Sequence, residues 1–186
     1  DGIKQGSKII KTENFEEEIP NIVSRLKDSW VFIQGPPGTG KTYHSANTII
    51  ELIKKKKRIA VTGNSHKVIH NLLDNIEYFA DKKKIQFKGL KKVNENDEET
   101  YFNGKYEYIE NAFKDPPFMD GLLDKSVLLF AGTKYHLASS YYHEKFDYLF
   151  CDEASQMSLT DIVALGSITK NIVLIGDQLQ LGQPTE

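Results

Sequence analysis

The stretch 35–42 restricts the possible folds of this chain more than any other part of the sequence. It reads Gly-Pro-Pro-Gly-Thr-Gly-Lys-Thr and matches the pattern G-x-x-x-x-G-K-[ST]. Residues 30–34 before it are apolar, aromatic and β-branched, which is typical of a buried parallel strand. Residues 43–56 after it carry apolar side chains at helical spacing. A strand, a glycine-rich turn and a helix N-terminus in this order predict an α/β fold with a phosphate-binding loop.

Each residue type in this loop suits the binding of a nucleoside triphosphate. Glycines permit positive φ and let backbone N–H groups approach phosphate oxygens closely. Lys41 is expected to reach the β- and γ-phosphates, and the Thr42 hydroxyl is expected to hold Mg²⁺. The predicted nucleotide-binding residues of the loop are Gly35, Pro36, Pro37, Gly38, Thr39, Gly40, Lys41 and Thr42.

Further apolar runs follow along the chain, and each ends in a polar tip. They cover residues 58–63, 126–131, 146–151 and 171–175. Apolar runs separated by helical segments predict a doubly wound, mostly parallel sheet. Because the carboxyl ends of parallel strands meet at one edge, the chemistry is expected on one rim of that sheet.

Acidic and amide side chains at two of these tips predict hydrolysis. Asp152 follows a buried strand and can take a position on the Mg²⁺ that Thr42 holds. Glu153 is the natural general base for an attacking water. The Gln180 amide could hydrogen-bond both the γ-phosphate and that water, although a turn glutamine without a role would fit the same spacing.

The chain is expected to divide into three parts. Residues 1–29 form a lead-in helix that packs beside the nucleotide pocket, and residues 30–73 with 126–186 form the main domain. The stretch 74–125 is too long for a loop and predicts an inserted subdomain. Its aromatic residues, interspersed with lysines, could stack nucleobases or could form a small core of their own.

Composition adds few constraints. The formal net charge of −2 gives no overall basic field that would attract nucleic acid. The single cysteine, Cys151, excludes an intrachain disulfide and is interpreted as a core residue in a reducing compartment. No apolar run approaches the length of a membrane span, so a cytoplasmic protein is expected. His66 and His70 lie four residues apart without a further ligand at zinc spacing.

Three stretches together resemble motifs I, II and III of superfamily 1 helicases. They are residues 34–42, 152–156 and 176–181. The resemblance is strongest to the branch that contains the nonsense-decay and senataxin-type helicases and the bacterial helicases fused to RecB-like nucleases. Residues 62–67 resemble motif Ia and residues 131–133 resemble motif Ic.

The resemblance implies the first RecA-like motor domain of an ATP-dependent helicase or translocase, a P-loop NTPase that uses ATP and Mg²⁺. It implies further nucleotide contacts from Gln156 and Asp177 and catalytic roles for Lys41, Glu153 and Gln180. A single nucleic-acid strand, with DNA favoured over RNA, is the expected partner. The implied strand contacts are Asn64, Ser65, His66, Lys67, Gly132 and Thr133.

The sequence departs from the family pattern at three places. Gly182 follows Gln-Leu where motif III usually has proline, and Gln5 is a poor match for the adenine-reading glutamine, so base preference stays open. The sequence ends at Glu186, before the motifs of a second RecA-like domain with its arginine finger. The 186 residues are therefore expected to bind nucleotide but to hydrolyse it slowly without that domain. Two alternatives are a P-loop switch NTPase with a protein partner and a nucleotide-binding scaffold without catalysis.

Overall fold

The structure is a computed structural model that describes residues 9, 10, 12–113 and 120–177. Its strands are β1 (Trp30–Gln34), β2 (Ile59–Gly63), β3 (Lys88–Lys92), β4 (Ile109–Ala112), β5 (Val127–Ala131), β6 (Phe146–Asp152) and β7 (Thr169–Gly176). Its helices include α1 (Phe15–Val23), α2 (Lys41–Lys54), α3 (His66–Lys83), α4 (Lys134–Leu137) and α5 (Leu159–Gly166). In this part of the chain no helix is long and apolar enough to cross a membrane.

The strands form one sheet of seven, in the order β1-β7-β6-β2-β5-β3-β4. Every neighbouring pair is parallel. The expected α/β fold with a doubly wound parallel sheet is confirmed, and all five predicted strands are present. The structure adds β3 and β4, which the sequence patterns did not predict.

Apolar side chains cover both faces of the sheet, because successive residues of a strand point to opposite sides. In β2, Ile59 and Val61 belong to one core and Ala60 to the other. The first core joins the sheet to α1, α2 and α3. The second core joins it to α4 and α5. Helices on both faces leave the carboxyl edge of the sheet as the place where polar side chains gather.

The stretch 74–125 extends the sheet at the edge opposite β1. It contributes the second half of α3 and both strands β3 and β4. β3 pairs with β5, and β4 pairs with β3. The boundaries of an inserted subdomain stay a prediction, since two strands of this stretch belong to the main sheet.

Glu77 of α3 holds this edge together. The side chain is fully buried. Its carboxylate accepts backbone hydrogen bonds from Tyr106 and Tyr108 at 2.9 Å and from Ile109 at 3.2 Å. The helix thereby fixes the backbone that leads into β4.

We expect Glu77→Ala to destabilise the fold by about 3 kcal/mol or more, because buried N–H groups lose their acceptor. For a chain of this length that loss corresponds to a decrease in Tm of about 6–12 °C in a thermal melt. Glu110→Ala, at an exposed position of β4, is the matched control. Equal Tm values for the two variants would contradict this account.

The register of the strands sets the geometry of the rim. Gln34 at the end of β1 pairs with Gly176 at the end of β7. Gly63 at the end of β2 pairs with Asp152 at the end of β6. Segments that are far apart in the sequence therefore begin their loops side by side.

Candidate nucleotide-binding site

The loop between β1 and α2 has the backbone that the glycine pattern predicts. Gly38 and Gly40 have φ of 77° and 78°, in the left-handed region that favours glycine. At Gly35 an added Cβ would lie 2.7 Å from Thr39 Oγ1. The Thr39 hydroxyl donates a hydrogen bond to the carbonyl of Pro36 at 2.8 Å, which closes the loop on itself. A side chain at Gly35 would displace the Thr39 hydroxyl, and at Gly38 or Gly40 it would strain the backbone.

The N-terminus of α2 differs from those of the other helices that follow a strand. Ser65, Thr133 and Ser158 cap α3, α4 and α5, and each side chain accepts a backbone N–H of the first turn. Gly40 begins α2 and supplies no side-chain acceptor, and the first turn of α2 carries no acidic residue. A 14-residue helix therefore presents N–H donors and a partial positive charge to the loop. This arrangement suits a phosphate group.

Lys41 lies at the start of α2, and its ammonium is directed into the loop. Nζ donates hydrogen bonds to the carbonyls of Gly35 at 2.5 Å and Pro36 at 2.8 Å. The positive charge is thus held within the loop that leads into α2. A triphosphate in the loop would meet both kinds of donor.

Thr42 and Asp152 are brought together as the magnesium prediction requires. Thr42 Oγ1 donates a hydrogen bond to Asp152 Oδ2 at 3.0 Å. Asp152 is almost fully buried, and this burial raises the pKa of its carboxyl, while hydrogen bonds from Glu153 and Thr42 lower it. A hydroxyl and a carboxylate are the oxygen donors that Mg²⁺ prefers, so these residues fit that ion.

Glu153 follows directly and has a separate environment. Its φ of 53° is in the left-handed region, which is uncommon for a side chain of this size. Partial burial raises the pKa of its carboxyl, and the neighbouring charge of Asp152 raises it further. A raised pKa makes a carboxylate a stronger base, which suits proton abstraction.

The predicted residues of motif III are only partly described. Asp177 is buried at the end of β7. Gln180, predicted to sense the γ-phosphate, lies outside the described residues. Gln156, by contrast, lies in the short turn after Glu153, and its Oε1 accepts a hydrogen bond from Asn64 at 3.4 Å.

The residues predicted to contact a nucleic-acid strand lie on the same rim. Ser65 is the N-cap of α3, as predicted, and accepts a hydrogen bond from the N–H of Val68 at 3.2 Å. Lys67 is exposed in the first turn of α3. Thr133 caps α4, and an added Cβ at Gly132 would lie 3.2 Å from His136. These segments directly follow β2 and β5, which are neighbours in the sheet.

Sequence patterns did not predict the role of Lys91, which is fully buried in β3. Its ammonium contacts His66 Nδ1 at 3.1 Å and donates hydrogen bonds to the carbonyls of Lys92 at 2.6 Å and Thr100 at 3.4 Å. Burial lowers the pKa of Lys91 to about 8. No sequence pattern indicated this burial, because a lysine next to an apolar residue in a strand ordinarily faces solvent.

The Lys91–His66 contact predicts acid sensitivity of the fold. Burial first, and then the charges of Lys91 and His70, together lower the pKa of His66 from 6.5 to about 4, against the opposing charge of Asp97. Near pH 6, His66 therefore binds a proton in the unfolded chain but does not bind one in the folded chain. The resulting stability is fully present above about pH 6.5 and is lost as the pH falls toward 4.

We expect His66→Gln to reduce the loss of Tm between about pH 7.5 and about pH 5, measured by thermal melts. His143→Gln, at an exposed position, is the control and should show the loss of the wild-type chain. An equal loss in the wild type and in His66→Gln would contradict the assignment.

Two cavities flank the site. One of about 560 Å³ lies between α1, β1 and the phosphate loop, and its lining is mainly apolar, including Phe15, Ile19 and Val31. Residues of α1 and of the loop line the same cavity, and its volume is in the range of ligand pockets. The other, of about 750 Å³, is polar and lies along α3 next to Ser65 and Lys67.

Cys151 is fully buried in β6. Burial raises the pKa of its thiol to about 12, which leaves it uncharged at neutral pH. Its interpretation as a core residue is confirmed.

Comparison with known proteins gives relatives among helicases. The chain is 28% identical over 160 residues to the "DNA replication ATP-dependent helicase/nuclease dna2" of Schizosaccharomyces pombe, covering 83% of this chain and 11% of that protein. It is 30% identical over 169 residues to the corresponding protein of Saccharomyces cerevisiae, covering 89% of this chain and 10% of that protein. The chain thus spans about a tenth of the length of these relatives.

A solved structure shows the same architecture. The UvsW helicase from bacteriophage T4 superimposes with a TM-score of 0.56 at 13% identity, covering 90% of this chain and 53% of that one. The likeness shows that the seven-stranded sheet has the α/β RecA-like fold. The resemblance to helicases is confirmed, while the particular branch stays a prediction. Residues 9–176, most of the chain, match the ResIII family model, described as "Type III restriction enzyme, res subunit", and the chain belongs to that family.

Proposed function

We propose that this chain binds Mg-ATP in the loop 35–42 and forms the first motor domain of a DNA helicase or translocase. The observation that carries the nucleotide site is the uncapped N-terminus of α2, which begins at a left-handed glycine and holds Lys41 inside the loop. The names of the relatives, which include DNA and ATP, support the choice of nucleotide and track.

The proposed chemistry assigns one task to each side chain of the loop and the neighbouring rim. Lys41 and the N–H groups of α2 bind the β- and γ-phosphates. Thr42 and Asp152 would hold Mg²⁺, which when bound neutralises negative charge on the phosphates. Glu153 takes a proton from the water that attacks the γ-phosphorus. The bond between the γ-phosphorus and the oxygen that bridges it to the β-phosphate breaks, and ADP departs. Gln180 is proposed to hydrogen-bond the γ-phosphate and that water.

The remaining parts of ATP and the track have places in the same proposal. The apolar cavity beside α1 offers a site for the nucleoside. The strand passes over the ends of β2 and β5, with contacts from Asn64 to Lys67 and from Gly132 and Thr133. A second RecA-like domain of the same protein is proposed to close on the nucleotide and to supply the arginine that completes the site.

Strand-stimulated ATP hydrolysis by the full-length protein tests this proposal. We expect turnover to increase when single-stranded DNA is added, with a smaller response to RNA. Turnover that responds to neither nucleic acid would contradict the helicase assignment and favour a switch NTPase with a protein partner. No Mg-ATP binding by calorimetry would contradict the nucleotide site itself.

A further inference from the structure

The turn 153–156 is held between two strand ends. On one side, Asn64 Nδ2 donates hydrogen bonds to the carbonyl of Glu153 at 3.3 Å and to Gln156 Oε1 at 3.4 Å. On the other side, Gly176 is so close that an added Cβ would lie 3.1 Å from the N and Oγ atoms of Ser155. The turn that carries the proposed general base therefore contacts the ends of both β2 and β7.

Asn64 also adjoins the proposed strand contacts. It follows β2 and precedes Ser65, the N-cap of α3, and the exposed Lys67 lies in the first turn of that helix. One residue thus connects the segment that would hold the strand to the turn that holds Glu153. Among the described residues, no other side-chain hydrogen bond joins these two segments.

The contacts of Asn64 are suited to change. Both hydrogen bonds of Nδ2 are long for an amide donor. Asn64 Oδ1 is buried and has no hydrogen-bond partner among the residues that the structure describes. An amide with long bonds and an open acceptor can exchange partners when α3 or the turn shifts.

Glu153 requires a constraint of this kind. Its left-handed backbone is unfavourable for a non-glycine residue, and the contact from Asn64 helps to hold it. The carbonyl that Asn64 contacts belongs to Glu153 itself. A movement of Asn64 would therefore change the direction of the Glu153 carboxylate relative to the phosphate loop.

We propose that Asn64 is a positioning residue that couples strand binding to the catalytic turn 153–156. The proposal rests on the proposed function and revises one part of it, because the Asn64 amide faces the catalytic turn rather than the track. A strand bound at the N-terminus of α3 shifts Asn64, and Asn64 aligns Glu153. By linkage, nucleotide bound at the phosphate loop changes strand affinity through the same residue.

The test measures that coupling as a ratio in the full-length protein. The Kd of a single-stranded DNA oligonucleotide is measured by fluorescence anisotropy with and without a non-hydrolysable ATP analogue. For the wild type we expect the two Kd values to differ by about 5-fold or more, the usual range of coupling between sites. In Asn64→Ala we expect a difference below about 2-fold. Misfolded molecules bind neither ligand, so a purely structural defect leaves this ratio unchanged.

Three further variants complete the test. Asn71→Ala, at an exposed position of α3, should keep the wild-type ratio. Gln156→Glu keeps an acceptor for Asn64 Nδ2 and should retain coupling, whereas Gln156→Ala should lose part of it. The Gln156 pair also keeps the proposal testable should Asn64→Ala fail to fold.

Each outcome separates the inference from the proposed function. If wild type and Asn64→Ala show the same ratio above 2-fold, the coupling role of Asn64 is wrong while the helicase assignment stands. If the wild-type protein itself shows no effect of nucleotide on strand affinity and no strand-stimulated turnover, the proposed function fails first.

Discussion

Lys41→Ala is expected to weaken Mg-ATP binding by about 30-fold or more. Truncating one partner of a buried, hydrogen-bonded charge pair costs about 2–5 kcal/mol, and each 1.4 kcal/mol is about tenfold in Kd. Lys41 Nζ lies inside the loop on the carbonyls of Gly35 and Pro36, where it would meet the phosphates of a bound triphosphate. Isothermal titration calorimetry on the 186-residue chain measures the effect directly.

The control for this prediction is Lys54→Ala. Lys54 is an exposed lysine in the last turn of the same helix, α2, so the substitution makes an equal change in net charge far from the loop. Its affinity should equal that of the wild type. Equal affinities of Lys41→Ala and the wild type would show that the loop does not bind a triphosphate. Thermal melts of both variants check that the fold is retained.

Glu153→Gln is expected to lower turnover by about 10²–10⁴-fold, the usual contribution of a general base. Nucleotide affinity should change little, because the amide has the same shape and the backbone contacts of Glu153 remain. These include its N–H, which donates to Asp152 Oδ1 at 2.9 Å. The measurement is steady-state ATP hydrolysis by the full-length protein at saturating single-stranded DNA.

The pH profile gives the same prediction a second readout. Burial and the charge of Asp152 raise the pKa of the Glu153 carboxyl. As the pH decreases, activity should therefore begin to fall at a pH above the range in which carboxyl groups usually titrate. The residual activity of Glu153→Gln should lack this acid limb. An unchanged turnover in the variant would exclude Glu153 as the base.

The matched control is Glu144→Gln. Glu144 also has a left-handed backbone, with φ of 51° against 53° for Glu153, and it is exposed. The same substitution in the same backbone conformation should leave turnover unchanged. A loss equal to that of Glu153→Gln would indicate a general effect on stability rather than on catalysis.

The strands that could be predicted were those with continuous apolar runs. The central strands are covered on both faces, so their residues are apolar irrespective of direction. The strand β3 reads Lys-Gly-Leu-Lys-Lys and β4 reads Ile-Glu-Asn-Ala, and neither shows such a run. β4 is the edge strand, where charged side chains are tolerated and limit pairing with other chains, whereas β3 lies between β5 and β4.

The phosphate loop was predictable because the residues that define its conformation are consecutive in the sequence. Positive φ, an uncapped helix N-terminus and a lysine in the first turn all follow from the eight residues 35–42 and their immediate neighbours. The N-cap Ser65 was predictable for the same reason, since a cap depends on residues three apart. The sequence by itself therefore determined the parallel α/β fold and the glycine-rich loop that we propose as the nucleotide-binding site.

The rest of the site depends on contacts between residues far apart in the sequence. Thr42 and Asp152 are 110 residues apart, and Asn64 and Glu153 are 89 apart. Each pair meets because parallel pairing brings the ends of β1, β2, β6 and β7 to one rim, with Gly63 directly beside Asp152. Strand register is a property of the assembled sheet, because a shift by one residue would turn each side chain to the opposite face. The tertiary structure alone thus decided that Asn64 faces the catalytic turn and that Lys91 lies buried behind His66.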